Sequence, residues 1–358
     1  MEAYKASKIE FTNIYDKEIL KLSNEAVIKI GEFNYALKTL NFDYNYYLDI
    51  LFDIDSFYSM YFDDESLNFD DVLYVNIMKN KIDKLKYLNL KKAFLYAYKY
   101  VNNNNEFTKE MYNEIHRIIM NKIKNIKKNE TGKYRNKKAY VFKMGLVGKE
   151  IDYVPVCSKD IKILMDDFFN YLNKTRLIPL VEMSIIDYQF ETIHPYMDAN
   201  GRISRLMMPI FIYKYFNLEP IIFLSKILYK NKNTYFKLLN DARKGNIKQF
   251  IKFYLNCIIE SCNQNITMIN KLNLSYNKDL KYAEKEIGGT LIYKVIPYMQ
   301  SKVIFTIQDL VKDLNLHINS VNKVLNNLIK IGLISKEKKD NMNRISFKYI
   351  NAYNIYLN

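Results

Sequence analysis

The sequence predicts a mainly α-helical protein that carries one β-hairpin and ends in a small module with its own strands. Three observations predict it. Apolar residues recur at helical spacing through most of the chain, as in Ile19, Leu20, Leu22, Ala26 and Ile30, which marks helices with one buried face. That rhythm lapses between Thr131 and Pro155, where Ala139, Val141, Tyr153 and Val154 flank Gly145 and Gly148. A last group of short apolar segments begins at Leu291 and finishes on a strand-like run from Arg344 to Tyr349.

Composition bounds the classes available. With 358 residues, 49% of them hydrophobic and 26% charged, the chain has the length for roughly two or three domains around real cores. Met1 to Glu10 is charged and has no apolar h-region, and no run approaches the roughly 18 apolar residues of a spanning helix. No membrane partner is therefore expected, and the expected location is cytoplasmic. Cys157, Cys257 and Cys262 are odd in number and lack metal-ligand spacing, so reduced, buried thiols are expected. A net charge of +15 and a pI near 9.3 admit a nucleic-acid partner. Heavy use of Lys, Asn, Ile and Tyr throughout, as an AT-rich genome would encode, raises the charge without any ligand.

Taken in order, residues 1–100 hold no proline and a single glycine, Gly31, and read as helices. Phe107 to Ile126 follows as a helix with Met111, Ile115, Ile118, Ile119 and Ile123 on one stripe, and His116 beside it is expected to be a hydrogen-bonded core residue. Thr131-Gly132-Lys133-Tyr134-Arg135 opens the hairpin, which ends at Pro155. Nine basic residues against one acidic, Glu130, lie between Lys122 and Lys143. A solvated basic hairpin, a peptide-pairing edge and a nucleic-acid edge all fit that charge. Val181 to Ile193 puts Met183, Ile186, Phe190 and Ile193 at helical spacing, and Pro195 stops the helix just after His194. Ile203, Leu206, Met207 and Ile210 begin a second helix that is almost wholly apolar through Phe216, as a buried central helix is. Tyr235 to Leu255 reads as two helices about a turn at Gly245-Asn246, and 263–283 as a polar linker or exposed helix. The expected organisation is an N-terminal helical region (1–100), a core (101–262), a linker (263–284) and a C-terminal module (285–358).

Within that module, Leu291 to Met299 forms one helix, Thr306 caps a second running through Leu314, and Asn319 to Ile329 forms a third with Val321, Val324, Leu325 and Leu328 inward. A basic turn and a strand follow Gly332-Leu333-Ile334. The pattern resembles a winged helix-turn-helix. Asn319, Ser320, Asn322, Lys323, Asn326 and Asn327 face outward, and Lys336, Lys338 and Lys339 lie on the wing. DNA bound through residues 306–349 is one expected partner; a structural or docking role, including a homodimer, is the other. His317, in the turn, is expected to cap or to face solvent.

The chemistry concentrates in His194-Pro195-Tyr196-Met197-Asp198-Ala199-Asn200-Gly201-Arg202-Ile203-Ser204-Arg205. A helix N-terminus offers unpaired backbone N–H groups and a partial positive charge, which suit a phosphate. Asn200 and Gly201 stand where those amides begin, and Gly201 has no Cβ to hold a ligand off. Arg202 and Arg205 are spaced to leave the same side of the first turn toward a polyphosphate. Asp198 is a hard oxygen ligand suited to Mg²⁺ bridging two phosphates. His194, one of three histidines, can accept a proton near neutral pH.

These residues resemble the signature of the Fic family, His-x-Phe-x-Asp/Glu-Gly-Asn-Gly/Lys-Arg-x-x-Arg. His194, Asp198, Asn200, Gly201, Arg202 and Arg205 match it, while Tyr196 stands for the Phe and Ala199 for the Gly. The resemblance implies a Fic-type helical core with a β-hairpin flap, and transfer of AMP from ATP to a Ser, Thr or Tyr hydroxyl of a target protein. In that reading His194 is the catalytic base and Asp198 holds Mg²⁺. Asn200, Gly201, Arg202 and Arg205 bind the phosphates, and Tyr235 or Asn240 approaches the adenine. Gly132, Tyr134 and Arg135 resemble the segment that opens the flap, which holds the target chain. Upstream, the stretch near 56–72 is similar to the family's inhibitory helix, Ser/Thr-x-x-x-Glu-Gly/Asn, with Ser59 and Asp63 in its Ser and Glu positions and Asp64 replacing the Gly or Asn. A carboxylate there would occupy Arg205, which the terminal phosphate needs, and an Asp, one methylene shorter, predicts a weaker restraint. Two other functions are compatible with these residues: removal of AMP, and a DNA-binding regulator whose Fic site senses a nucleotide.

Overall fold

The computed structural model describes residues 3–6, 8–9, 14–62, 82–123, 130–145, 148–174, 178–217, 222–338 and 345–357. The fold is mainly α, with two small antiparallel sheets among the described residues. No helix of the described residues is long and apolar enough to cross a membrane. The chain divides into two compact units, Met1–Ile28 with Tyr58–Glu65 and Leu85–Ser261, and Lys29–Phe57 with Ser66–Lys84 and Cys262–Asn358.

In chain order the N-terminal helices are α1 (Lys17–Leu37), α2 (Tyr44–Tyr61) and α3 (Ile82–Asn104). Next comes α4 (Lys109–Ile119), whose N-cap Thr108 accepts a hydrogen bond from the Met111 amide. Strands β1 (Val141–Gly145) and β2 (Gly148–Tyr153) form the expected hairpin, with Gly145 opposite Gly148 and an irregularity between Val141 and Phe142. Tyr153 anchors its base by donating to the Thr192 carbonyl at 2.8 Å, and the Arg243 guanidinium lies 3.6 Å from the Tyr153 ring centroid.

The first unit is built around two helices. After α5 (Ile161–Leu172), α6 (Pro179–Ile193) starts with proline in its first turn, where the missing N–H costs nothing. It packs against α7 (Asn200–Phe216). Both are buried nearly all round, α6 from Leu180 to Phe190 and again at Thr192 and Ile193, α7 from Arg202 to Ile212. The helices α8 (Ser225–Lys230) and α9 (Lys232–Arg243) complete this unit, together with the first part of α10 (Ile247–Glu286).

Residues 263–284, expected as a linker or exposed helix, are helical and belong to α10, a continuous element of 40 residues. The many Asn residues hide a buried apolar stripe, Cys262, Ile269, Leu272 and Ala283, whose intervals all lie near whole turns of a helix. In the second unit, α11 (Ile292–Lys302), β3 (Ile304–Phe305), α12 (Ile307–Leu314), α13 (Ile318–Lys330), β4 (Ile334–Glu337), β5 (Ser346–Tyr349) and α14 (Ile350–Leu357) follow one another. The sheet order is β3-β5-β4. Thr306 and Asp309 form a reciprocal capping box at the start of α12, and His317 caps α13 by accepting from the Asn319 amide. Val321, Val324, Leu325 and Leu328 point inward. Lys339 and Arg344 lie outside the described residues. The three cysteines are free, but Cys157 is exposed, contrary to expectation, because it sits before a single 3-10 turn between the hairpin and α5; Cys257 and Cys262 are buried.

Candidate active site

The loop from His194 to Ala199 is bracketed by two residues in the left-handed region, His194 (φ 52, ψ 62) closing α6 and Ala199 (φ 64, ψ 10) preceding α7. Neither is glycine, so each carries strain of about 1–2 kcal/mol that neighbours must hold. Asn200 supplies part of the hold. Its Oδ1 accepts from the Tyr196 amide at 3.0 Å and its Nδ2 donates to the Tyr196 carbonyl at 2.9 Å. Only a carboxamide can do both, so the Asn200 side chain, expected on the phosphates, is spent on the turn.

The Tyr196 ring is fully buried and stacks on His116 with centroids 4.2 Å apart and planes 7° from parallel. Its hydroxyl donates to Asn113 Oδ1 at 2.9 Å, which explains how a tyrosine fits where the family pattern has phenylalanine. His116 in turn accepts from the Gly132 amide at 2.7 Å, and burial, set against the Asp198 charge, lowers its pKa to about 4, keeping it neutral. Gly132 (φ 70) could not carry a Cβ, which would lie 2.9 Å from both the Asn113 carbonyl oxygen and Arg117 Nη2.

Arg135 clamps the loop from the other side. Its amide donates to the Pro195 carbonyl at 2.8 Å, and its guanidinium donates to the carbonyls of His194 (2.8 Å), Val156 (2.6 Å), Lys137 (3.0 Å) and Ile193 (3.3 Å). The residue expected to open the flap is thus buried and ties the flap's base to the backbone of the loop. Tyr134 packs 5.8 Å from Tyr196 and lies under Lys109.

The chemistry-bearing side chains gather around this scaffold. His194 is largely buried, with Nδ1 3.7 Å from Glu191 Oε2. Asp198 is half exposed; its Oδ1 accepts from the Ala199 amide at 2.5 Å and from Arg202 Nη2 at 2.9 Å. Burial would raise the Asp198 carboxyl, but the Arg202 charge and the Ala199 amide outweigh it and hold it below the usual carboxylate range. Arg205, three residues on, is engaged differently. Its Nε donates to Ser59 Oγ at 3.0 Å, its Nη2 donates to the Ser59 carbonyl at 2.8 Å, and it lies 4.3 Å from the Phe62 ring centroid. At Gly201 a Cβ would stand 2.8 Å from Arg205 Nη1 and 3.2 Å from Glu191 Oε1, so this glycine makes room for side chains as well as for a ligand.

The structure therefore brings together His194, Asp198, Asn200, Gly201, Arg202 and Arg205, and adds Ser59. Asp63 and Asp64 lie outside the described residues. Tyr235 and Asn240 point elsewhere. Tyr235 is buried and donates to Asp187 Oδ2 at 3.0 Å, while Asn240 donates to Asp152 Oδ2 at 3.0 Å. Two carboxylates escaped sequence reasoning, Asp187 and Glu191, one turn apart on α6. Glu191 is three residues before His194, a spacing that puts both on one helix face and was available as a signal. Asp187 also accepts from Ser204 at 2.5 Å; burial and the Glu191 charge raise it to about 7, against those two hydrogen bonds and Arg205.

Residues 106–212 match the family model described as Fic/DOC family. The chain is 30% identical over 169 residues to a protein adenylyltransferase Fic of Aedes aegypti, a match covering 45% of this chain and 30% of that protein. It is 28% identical over 203 residues to one of Culex quinquefasciatus, covering 54% and 37% respectively. The matches span about a third of the length of these relatives. The fold is similar to the crystal structure of a Fic family protein from Desulfovibrio desulfuricans G20, with a TM-score of 0.60, 18% identity and coverage of 95% of this chain and 98% of that one. Fic-1 (residues 134–508) from C. elegans is similar with a TM-score of 0.54 and 16% identity, over 70% of this chain and 73% of that one.

Proposed function

From the premise that this chain belongs to the Fic/DOC family through residues 106–212, we propose that it is a nucleotidyltransferase, a protein adenylyltransferase that moves AMP from ATP to a Ser, Thr or Tyr hydroxyl of a target protein. The observation that carries this reading is the union, on one short loop and the first turn of α7, of a base, a half-exposed carboxylate and two arginines. In the reaction the target hydroxyl oxygen bonds the α-phosphorus as the bond to the β-phosphate oxygen breaks. The hydroxyl proton passes to His194, and pyrophosphate leaves with the bonding electrons. The amides at the start of α7 face the developing charge, and Arg202 and Arg205 take the β and γ groups.

Asp198 fits a divalent cation: it is ionised, half exposed, and has one oxygen tied to Arg202 and Ala199 while the other is available. Among the described residues no cluster of three or more His, Cys, Asp or Glu could hold a metal unaided. A Mg²⁺ held here by Asp198 would take its remaining ligands from phosphates and water, and would neutralise phosphate charge when bound.

Incubation with Mg²⁺ and ATP labelled on the α- or the γ-phosphate tests the proposal. Label should pass to protein from the α position alone, and His194→Ala should lower it by about 10²–10⁴-fold while nucleotide binding persists. Label retained at the wild-type rate in His194→Ala would sink the assignment.

Restraint by α2 belongs to the same reading. The sequence of α2 ends without a basic residue in its last turn, and Arg205 and Lys232 supply the cations, donating to the carbonyls of Ser59 and Phe62. Arg205 held this way is drawn from the terminal phosphate, so the last turn of α2 competes with ATP. Asp63 would add a carboxylate to that competition.

A second reading, DNA contact through residues 306–349, is favoured by α13: it has no acidic residue, and Asn319, Ser320, Lys323, Asn326 and Lys330 are exposed along it. A salt-dependent mobility shift with duplex DNA, lost in Lys323→Glu, is expected on that reading; no shift at low salt would remove it.

A further inference from the structure

We propose that Glu191 is the positioning residue for His194: its carboxylate accepts the Nδ1 proton of the imidazole, fixing ring and tautomer so that Nε2 faces the target hydroxyl. The inference rests on the transfer reading above and names a residue that the family signature does not contain.

The geometry comes first. His194 Nδ1 is buried and has no hydrogen-bond partner, and the nearest carboxylate oxygen, Glu191 Oε2, is 3.7 Å away. That is about 0.7 Å beyond the usual N–H···O distance. The backbone cannot move to close the gap, because Arg135 holds the carbonyls of Ile193 and His194. A small rotation of the ring or the carboxylate can, and catalytic hydrogen bonds commonly tighten when substrate arrives. The left-handed turn at His194 folds its ring back over the last turn of α6, where Glu191 stands three residues earlier. The other Glu191 oxygen lies against Gly201, where a Cβ would meet it at 3.2 Å, so the carboxylate is held at the mouth of the phosphate-facing turn.

The charge environment supports the role. Glu191 is faced by Asp187 and His194 from its own segment, by Arg205 from α7, and by Arg243 and the Tyr235 hydroxyl from α9. Burial would raise its carboxyl, but His194, Arg205 and Arg243 together hold it below the ordinary range, so it stays ionised. An ionised carboxylate on Nδ1 has two effects. It excludes the tautomer whose proton sits on Nε2, and it stabilises the imidazolium formed once the hydroxyl proton has arrived.

The test reads the imidazole directly. The chain has three histidines, so ¹⁵N–¹H long-range spectra of the labelled full-length protein can be assigned with His194→Ala and His317→Ala. The neutral imidazole of wild-type His194 should be the Nδ1–H tautomer. In Glu191→Gln its tautomers should mix, and α-label transfer should drop about ten- to a hundredfold with the KM for ATP unchanged. Glu191→Asp should recover part of both, and serves as the readout if the amide variant does not fold. A wild-type Nε2–H tautomer, or the same tautomer in every variant, overturns the proposal. A tautomer that follows Glu191 in a protein that transfers no α-label sustains the pairing and overturns the transfer reading instead.

Discussion

The two arginines of α7 are held in contrasting ways. Arg202 is held by Asp198, four residues earlier in the loop that leads into α7, across the left-handed turn at Ala199. Arg205 is fixed by a segment 146 positions away, through a serine hydroxyl, a helix-end carbonyl and an aromatic face. The first contact is local, confined to the loop and the first turn of α7. The second depends on where α2 ends and can be lost while α7 stays intact. Arg205 can therefore be contested by a distant segment through contacts that the loop itself does not supply.

A third support reaches the same turn from below, and it gives the largest expected effect. Asp187 on α6 accepts from Ser204, the residue just before Arg205, and from Tyr235. Its carboxyl, raised to about 7, keeps its proton in the folded protein after the unfolded chain has released it. Its contribution to stability is thus fully present below about pH 4 and lost as pH rises through 7, amounting to about 2–3 kcal/mol between pH 5 and 8. Asp187→Asn has no proton to lose and can keep both hydroxyl partners, so its urea midpoint should fall less over that range than the wild type's. Parallel pH profiles for the two proteins would show that the support is not the neutral carboxyl.

The contrast between the arginines gives the next effect, about 1 kcal/mol. Ser59→Ala frees Arg205 Nε while leaving the carbonyl contact and the Phe62 ring in place. Affinity for ATP, measured by calorimetry, should rise about three- to tenfold, the worth of one net hydrogen bond. The matching change at the local arginine, Asp198→Ala, also removes a guanidinium contact but takes away the carboxylate proposed for the cation, so on that proposal affinity for Mg-ATP should fall. Two changes of the same sign would erase the distinction drawn between the arginines.

How much of this was legible in the sequence follows the same division. The helices α6 and α7, the hairpin and the module with Thr306 at its cap were readable, because periodicity, Pro195 and paired glycines are local signals. The cluster from His194 to Arg205 was readable because its members lie within one turn and one loop. Ser59 was legible only through resemblance, and the direct engagement of Arg205 by its hydroxyl and carbonyl needed the fold. Arg135 was legible as part of the motif that opens the hairpin, and its contacts to the carbonyls of Lys137, Val156, Ile193 and His194 needed the fold. Asp187 and Glu191 looked like polar residues on an apolar helix, and nothing local said that Ser204, Tyr235, Arg205 and Arg243 would surround them.

The smallest effect concerns the other end of the loop, where this chain has alanine in place of the glycine of the family signature. Ala199 holds φ 64 with its side chain buried, so its Cβ keeps the left-handed strain and cannot escape to solvent. That strain costs about 1–2 kcal/mol for an L-residue. Glycine would remove it but would cost about 0.5–1 kcal/mol in chain entropy on folding. The strain is the larger quantity, so Ala199→Gly should stabilise by a few tenths to about 1 kcal/mol, raising Tm by about 1–3 °C. Ala199→Val, which adds a branched Cβ to the same torsion, should destabilise by more than glycine gains. If both variants melt with the wild type, the loop relaxes at Ala199, and the hold that Asn200 and Arg135 exert is not set against strain at that residue.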